Sequence, residues 1–139
     1  MSKINVIYWS GTGNTEMMAN AIADGTKEAG NEVNVIHVGE ATIDDANNCD
    51  VLVLGCSSMG DEVLEEGEME PYMESIDGKI GGKKIALFGS YGWGDGRWMR
   101  EWQERVEDNG AILLEDGLIL NETPDDEGLA QCREFGKRL

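Results

Sequence analysis

The sequence predicts an α/β domain, a five-stranded parallel sheet with helices on both faces. Three observations carry this. Apolar runs of strand length recur five times along the 139 residues, the fifth in two halves. The runs are continuous rather than alternating, as in strands covered on both faces. Between them lie segments whose apolar residues recur at helical spacing.

The first run, residues 4–9, passes into a polar turn. Met18, Ala21, Ile22 and Ala29 then predict a helix over residues 15–29, stopped at Gly30. Residues 33–38 form the second run, and residues 39–48 show no helical period, so an irregular connection or at most one turn of helix is expected. The third run, residues 51–56, is the most apolar. A short helix over residues 71–76 would turn Tyr72, Met73 and Ile76 inward, and residues 85–89 form the fourth run. Trp98, Trp102 and Val106 fall at i, i+4 and i+8, predicting a helix over residues 95–109 with both tryptophans in the core. The fifth run is split, residues 112–114 and 118–120, around Glu115, Asp116 and Gly117. A last helix, residues 125–139, begins with acids and ends in Lys137 and Arg138, which complements the helix dipole. Repeats, low-complexity stretches and linkers are absent from the sequence, so residues 1–139 are expected to form one domain.

Composition narrows the function. With 40% hydrophobic and 28% charged residues the chain is neither a disordered tail nor a membrane span. Eleven Lys and Arg against 28 Asp and Glu leave a net charge of −17, which repels phosphate backbones and argues against nucleic-acid binding. A basic partner, or simple solubility, suits such a surface. Cys49, Cys56 and Cys132 form neither a CxxC nor a Cys/His cluster, which argues against a disulfide framework or zinc site and for a reducing compartment. Ser2 and Lys3 lead straight into the first strand, and no apolar run approaches about 18 residues. No signal peptide, no membrane segment and a cytoplasmic location are therefore expected.

In an open α/β sheet, ligands bind beyond the carboxyl ends of the strands. The loop after the first strand reads Ser10, Gly11, Thr12, Gly13, Asn14, Thr15 and opens a helix. Small residues and hydroxyls at a helix N-terminus suit a phosphate. The loop holds no Lys or Arg and lacks the Walker A ending, which argues against nucleotide hydrolysis. Glu16 stands where a dinucleotide fingerprint needs its third glycine, and the second strand ends near His37 rather than an acid. A glycine-rich turn serving only the fold is the other reading. The loop after the third strand reads Ser57, Ser58, Met59, Gly60, Asp61, Glu62. Met59 can pack on an aromatic face, and Gly60 with Asp61 forms a turn whose central peptide could flip between β-turn types, or simply a tight turn. After the fourth strand come Ser90, Tyr91, Gly92, Trp93, Gly94, Asp95 and Gly96. Aromatics among glycines suit a planar ligand, or an aromatic lid.

Taken together, the loops describe a mononucleotide with one phosphate and a flat ring. The segments Tyr8-Trp9-Ser10-Gly11-Thr12-Gly13-Asn14-Thr15-Glu16, Cys56-Ser57-Ser58-Met59-Gly60-Asp61-Glu62 and Phe88-Gly89-Ser90-Tyr91-Gly92-Trp93-Gly94 resemble those of flavodoxins, at matching spacing along the whole chain. With nothing long inserted in the fifth strand, the resemblance is to the short-chain kind. It implies strand order 2-1-3-4-5 with FMN at the switch point. Residues 10–15 and Ser57 would hold the phosphate. Trp93 would cover the outer face of the isoalloxazine and Met59 the inner, with Ser90, Tyr91 and Gly92 shaping the same loop. Glu62 would accept a hydrogen bond from flavin N3, and Asn121 would lie at the flavin edge. Ser58 stands where the family pattern has alanine.

The function so implied is a low-potential one-electron carrier, FMN shuttling between semiquinone and hydroquinone to serve redox enzymes with basic docking surfaces. A monomer is expected. The Gly60 carbonyl would swing toward flavin N5 on one-electron reduction, and one such hydrogen bond moves a one-electron couple by about 40 mV. Carboxylates at ~10 Å each cost an anionic hydroquinone roughly 0.4 kcal/mol before screening. Glu62, Glu65, Glu66 and Glu68 would also guide docking. An FMN-dependent quinone or small-molecule reductase is the alternative on the same fold, although no nicotinamide-binding motif is present. A phosphoryl-accepting, flavin-free module would need paired acids after the first strand, where Ser10, Gly11 and Thr12 stand instead.

Overall fold

The computed structural model describes residues 2–139. Its elements run β1 (Lys3–Trp9), α1 (Asn14–Glu28), β2 (Glu32–His37), α2 (Ile43–Asn47), β3 (Val51–Cys56), α3 (Met69–Ile76), β4 (Lys84–Tyr91), α4 (Arg97–Asp108), β5 (Ile112–Leu113), β6 (Leu118–Asn121) and α5 (Asp126–Lys137). All strand pairings named in the sheet are parallel, in the order β2-β1-β3-β4-β5. The split fifth run becomes two strands along one neighbour: β5 pairs with the start of β4 at Lys84 and Ile85, and β6 pairs from Phe88 to Tyr91.

Period-two alternation sends successive strand residues to opposite faces, and both faces are apolar. Leu52, Leu54, Ile85 and Leu87 pack with Met73, Trp98 and Trp102 from α3 and α4. Val51, Val53, Ala86 and Phe88 pack with Met18, Ile22 and Phe135 from α1 and α5. Every residue of β3 is buried, whereas β2 lies at the edge and leaves Val35 38% exposed. The expectation of a strand covered on both faces therefore fails for β2, where the sheet ends.

The connection over residues 39–48 is more regular than its sequence suggests. A single 3-10 turn spans Val38–Glu40, which takes Val38 out of the predicted strand, and α2 follows. Thr42 and Asp45 nucleate α2 as a capping box: the Thr42 hydroxyl accepts from Asp45 N–H at 3.2 Å, and Asp45 accepts from Thr42 N–H at 2.8 Å. The buried Asn5 amide donates to the Asp45 carbonyl at 2.8 Å, anchoring α2 to β1. α3 begins at Met69, two residues before Pro71, whose missing N–H falls in the first turn, where no intrahelical bond is lost. α4 starts at Arg97 rather than Asp95 because Gly94 and Gly96 turn the chain with φ of 89° and 92°.

α1 and α5 cross at two glycines. A Cβ on Gly136 would stand 2.1 Å from the Ile22 carbonyl oxygen, and one on Gly25 would stand 1.9 Å from that of Arg133. Thr26 closes the crossing, its hydroxyl donating to Gly136 O of α5 at 3.3 Å as well as to Ile22 O of its own helix at 2.9 Å. Gly136→Ala must therefore part the helices, and it should lower the urea-unfolding stability of the FMN-free protein by about 1–3 kcal/mol. An unchanged midpoint would contradict this packing.

Candidate functional site

The carboxyl ends of β1, β3 and β4 open into one cleft of about 260 Å3. It is lined by Trp9, Gly11, Thr12 and Asn14 from the first loop, Ser57, Ser58 and Met59 from the second, and Ser90, Tyr91 and Gly92 from the third, with Glu122 beside them. Gly13 caps α1 with φ 97°, and no side chain among the described residues caps that helix end. The Ser10 hydroxyl accepts from Gly13 N–H at 3.1 Å, shaping the loop. The N–H groups of Asn14, Thr15 and Glu16 are left without partners among the described residues. Beneath them the buried Thr15 hydroxyl lies 2.7 Å from both Ser57 Oγ and Ser90 Oγ, which are 3.3 Å apart. Two strands, β3 and β4, and a helix, α1, thus meet in one hydroxyl cluster.

The second and third loops are tied together. Ser58 N–H donates to Ser90 O at 2.9 Å, and Met59 and Val63 exchange two backbone bonds of 2.9 Å that close the turn between them. Within this turn Gly60 has φ 49° and Glu62 φ 56°. Glu62 is 7% exposed, and its Oε1 accepts from the N–H groups of Asp95, Gly96 and Arg97 at 3.0–3.2 Å. At the far end, Tyr91 O accepts from Glu122 N–H at 2.7 Å and from the Asn121 amide at 3.2 Å.

The predicted residues therefore divide. Gly11, Thr12, Asn14, Ser57, Ser58, Met59, Ser90, Tyr91 and Gly92 share the cleft. Ser10, Gly13 and Thr15 support it from behind. Gly60, Asp61, Glu62 and Asn121 adjoin it, and Trp93 stands 62% exposed one residue beyond the lining Gly92. Trp9 and Glu122 line it unforeseen. An aromatic at the last position of a strand that feeds a ligand loop was the available signal for Trp9; Glu122 gave none.

Two of the acids expected at a docking rim accept hydrogen bonds from backbone. Glu62 caps α4, as above. Glu65 accepts from Gly67 and Glu68 N–H at 2.6 Å and from Met69 N–H at 3.1 Å, ordering the entry to α3. Burial pushes the Glu65 carboxyl up, but the donors of Met69, Glu68 and Gly67 together hold it below its ordinary 4.5. Burial pushes the Cys56 thiol up to about 12, and its carbonyl accepts from the Trp98 indole at 3.2 Å, so Cys56 is packing at the end of β3 rather than a redox group. Asp95 is held low by its hydrogen bond and ion pair with Arg100 at 3.0 Å.

A helix start with no side-chain cap among the described residues, beside hydroxyls and at a cleft lined by Met59 and Tyr91, suits a mononucleotide in a doubly wound domain. Comparison with known proteins agrees. The flavodoxin family model matches residues 6–136. A flavodoxin of Clostridium beijerinckii is 55% identical over 136 residues, 98% of each chain. One of Megasphaera elsdenii is 45% identical over 134 residues, 96% of each. The solution structure of the two-electron reduced Megasphaera elsdenii flavodoxin matches with a TM-score of 0.89 at 42% identity, covering 98% of this chain and 99% of that one.

The chain belongs to the flavodoxin family, and it resembles the short-chain members in length. It is an electron-transfer protein rather than an enzyme, and its cofactor is FMN. The residues present fit that group: three α1 N–H groups without partners among the described residues suit its phosphate, and a cleft lined by Trp9, Met59 and Tyr91 suits its ring.

Because the Glu65 carboxylate is favoured in the folded state, its stabilisation is complete above about pH 4.5 and is lost as pH falls through the lower folded value. Acid titration of stability should therefore be steeper for the parent than for Glu65→Gln as the pH falls below about 4.5. Identical acid profiles would contradict the role of these three donors.

Proposed function

We propose that the protein is a low-potential one-electron carrier, acting as a monomeric single domain of residues 1–139 in the cytoplasm and serving redox enzymes with basic docking surfaces. The observation that carries the site assignment is the uncapped start of α1, whose Asn14, Thr15 and Glu16 N–H groups stand over the Thr15–Ser57–Ser90 hydroxyls. In this reading residues 10–15 and Ser57 take the FMN phosphate without a cation. Met59 packs on the inner face of the ring, and the exposed Trp93 indole folds onto the outer face. Glu62 has Oε1 committed to α4, while Oε2, with no donor among the described residues, accepts from the ring N3–H. Asn121 sits at the ring edge.

Bound FMN supplies reversible electron storage; the protein decides in what steps. Of the peptides in the turn from Met59 to Val63, the Gly60–Asp61 peptide has neither its C=O nor its N–H bonded among the described residues. Gly60 tolerates either sign of φ, so that peptide can reorient and present its carbonyl to a protonated ring nitrogen at small cost. A net charge of −17 opposes the addition of a further electron to the site, which lowers the potential of the second step. Asp61, Glu66 and Glu68, which are exposed, are the acids left to steer a basic partner.

Stepwise reduction of the FMN-loaded protein should pass from yellow through a transient blue phase before bleaching. Gly60→Pro should bind FMN yet lose the blue phase, because proline cannot hold a positive φ. A direct yellow-to-colourless course in the parent, or an undiminished blue phase in the variant, would overturn the Gly60 account.

A further inference from the structure

α4 begins without a side-chain cap of its own, and the carboxylate that serves it comes from Glu62, more than 30 residues earlier in the chain. The arrangement is reciprocal. Arg97, the first residue of α4, donates its N–H to Glu62 Oε1 at 3.0 Å, and its guanidinium donates to the carbonyl of Asp61. Gly94 makes room for this: a Cβ there would lie 2.5 Å from the Glu62 carboxylate. The turn that carries Gly60 and the loop that carries Trp93 are thus joined by a two-way clasp. The other contact of Arg97, to Glu101 at 3.7 Å, is an exposed i,i+4 pair worth little.

The clasp acts unevenly on the turn. Met59 and Val63 are fixed by their paired backbone bonds, and the Asp61 carbonyl is fixed by Arg97. Only the Gly60–Asp61 peptide, directly before the held carbonyl, is free at both of its polar groups among the described residues. We infer that Arg97 is a positioning residue for the flavin site, pinning the Asp61 carbonyl so that movement in the turn is confined to the Gly60–Asp61 peptide. The inference rests on the Gly60 reading above and adds the part that gives that motion a fixed pivot. Without the pin, the whole turn would sample several arrangements, and the Gly60 carbonyl would be less well aimed.

The test uses Arg97→Ala, Arg97→Gln and Arg97→Lys. Glutamine keeps a donor without charge, and lysine keeps a charged donor. Amide hydrogen exchange at Val63, measured with and without FMN, should rise about tenfold in Arg97→Ala while the amides of β1 stay unchanged. In the same variant the largest fraction of blue form reached during reductive titration should fall, and both Arg97→Gln and Arg97→Lys should recover it. Unchanged Val63 protection in Arg97→Ala would overturn the inference. So would recovery by lysine alone, which would make the effect one of charge and not of the hydrogen bond. A parent protein with no blue phase would overturn the Gly60 reading itself. Loss of Val63 protection in Arg97→Ala with the blue phase intact would overturn only the role assigned to Arg97.

Discussion

At the start of α1 three backbone N–H groups, from Asn14, Thr15 and Glu16, lack partners among the described residues, in a protein with a net charge of −17. An N-cap side chain in place of Gly13 would satisfy one of them and take up the space in front of the helix. Gly13, in the left-handed conformation, leaves it open. The rest of the site follows from that choice. Thr15, the second residue of the helix, reaches under the loop to Ser57 and Ser90, so a single hydroxyl sets the relative heights of β3, β4 and α1. Once these are fixed, the second and third loops are held together above them by the Ser58–Ser90 backbone bond.

The absence of Lys and Arg from the phosphate loop has an electrostatic consequence. A cationic cradle would neutralise the phosphate and make the cofactor easier to reduce fully. Backbone dipoles would hold the anion while leaving its charge in place, and the surrounding carboxylates would add to it. Binding and redox tuning are therefore not opposed. Dipoles at a helix start act within a turn of helix, whereas the field of the acids extends across the domain. Some of those acids also serve structure. Glu62 and Glu65 lie close together in sequence, yet each gathers three N–H groups at a separate helix start, one at α4 and one at α3.

Much of this was legible in the sequence. Continuous apolar runs such as residues 51–56 announced a sheet covered on both faces, and Trp98 and Trp102 at helical spacing announced the buried side of α4. The loop chemistry located the cleft, because glycines, hydroxyls and aromatics clustered at three strand ends are hard to explain by packing. What stayed hidden depended on contacts across the fold. Nothing local marks Glu62 as the cap of α4, since its three donors lie more than 30 residues away. Residues 39–48 read as an irregular connection or at most one turn of helix because the five-residue α2 is too short to show a period, although the Thr42–Asp45 box marks its start. Val35 looked like an interior residue because a run of apolar side chains cannot say which strand ends the sheet.

Isothermal titration of the FMN-free protein with FMN and, separately, with riboflavin most directly tests whether α1 holds the cofactor by its phosphate. The two ligands share the ring and differ in the group that meets the Asn14, Thr15 and Glu16 amides. Several charge-assisted N–H bonds should make FMN bind about 100-fold tighter or more, even against the repulsion of an acidic protein. Equal affinities would show that the ring alone holds the cofactor, and the account built on the open start of α1 would not stand.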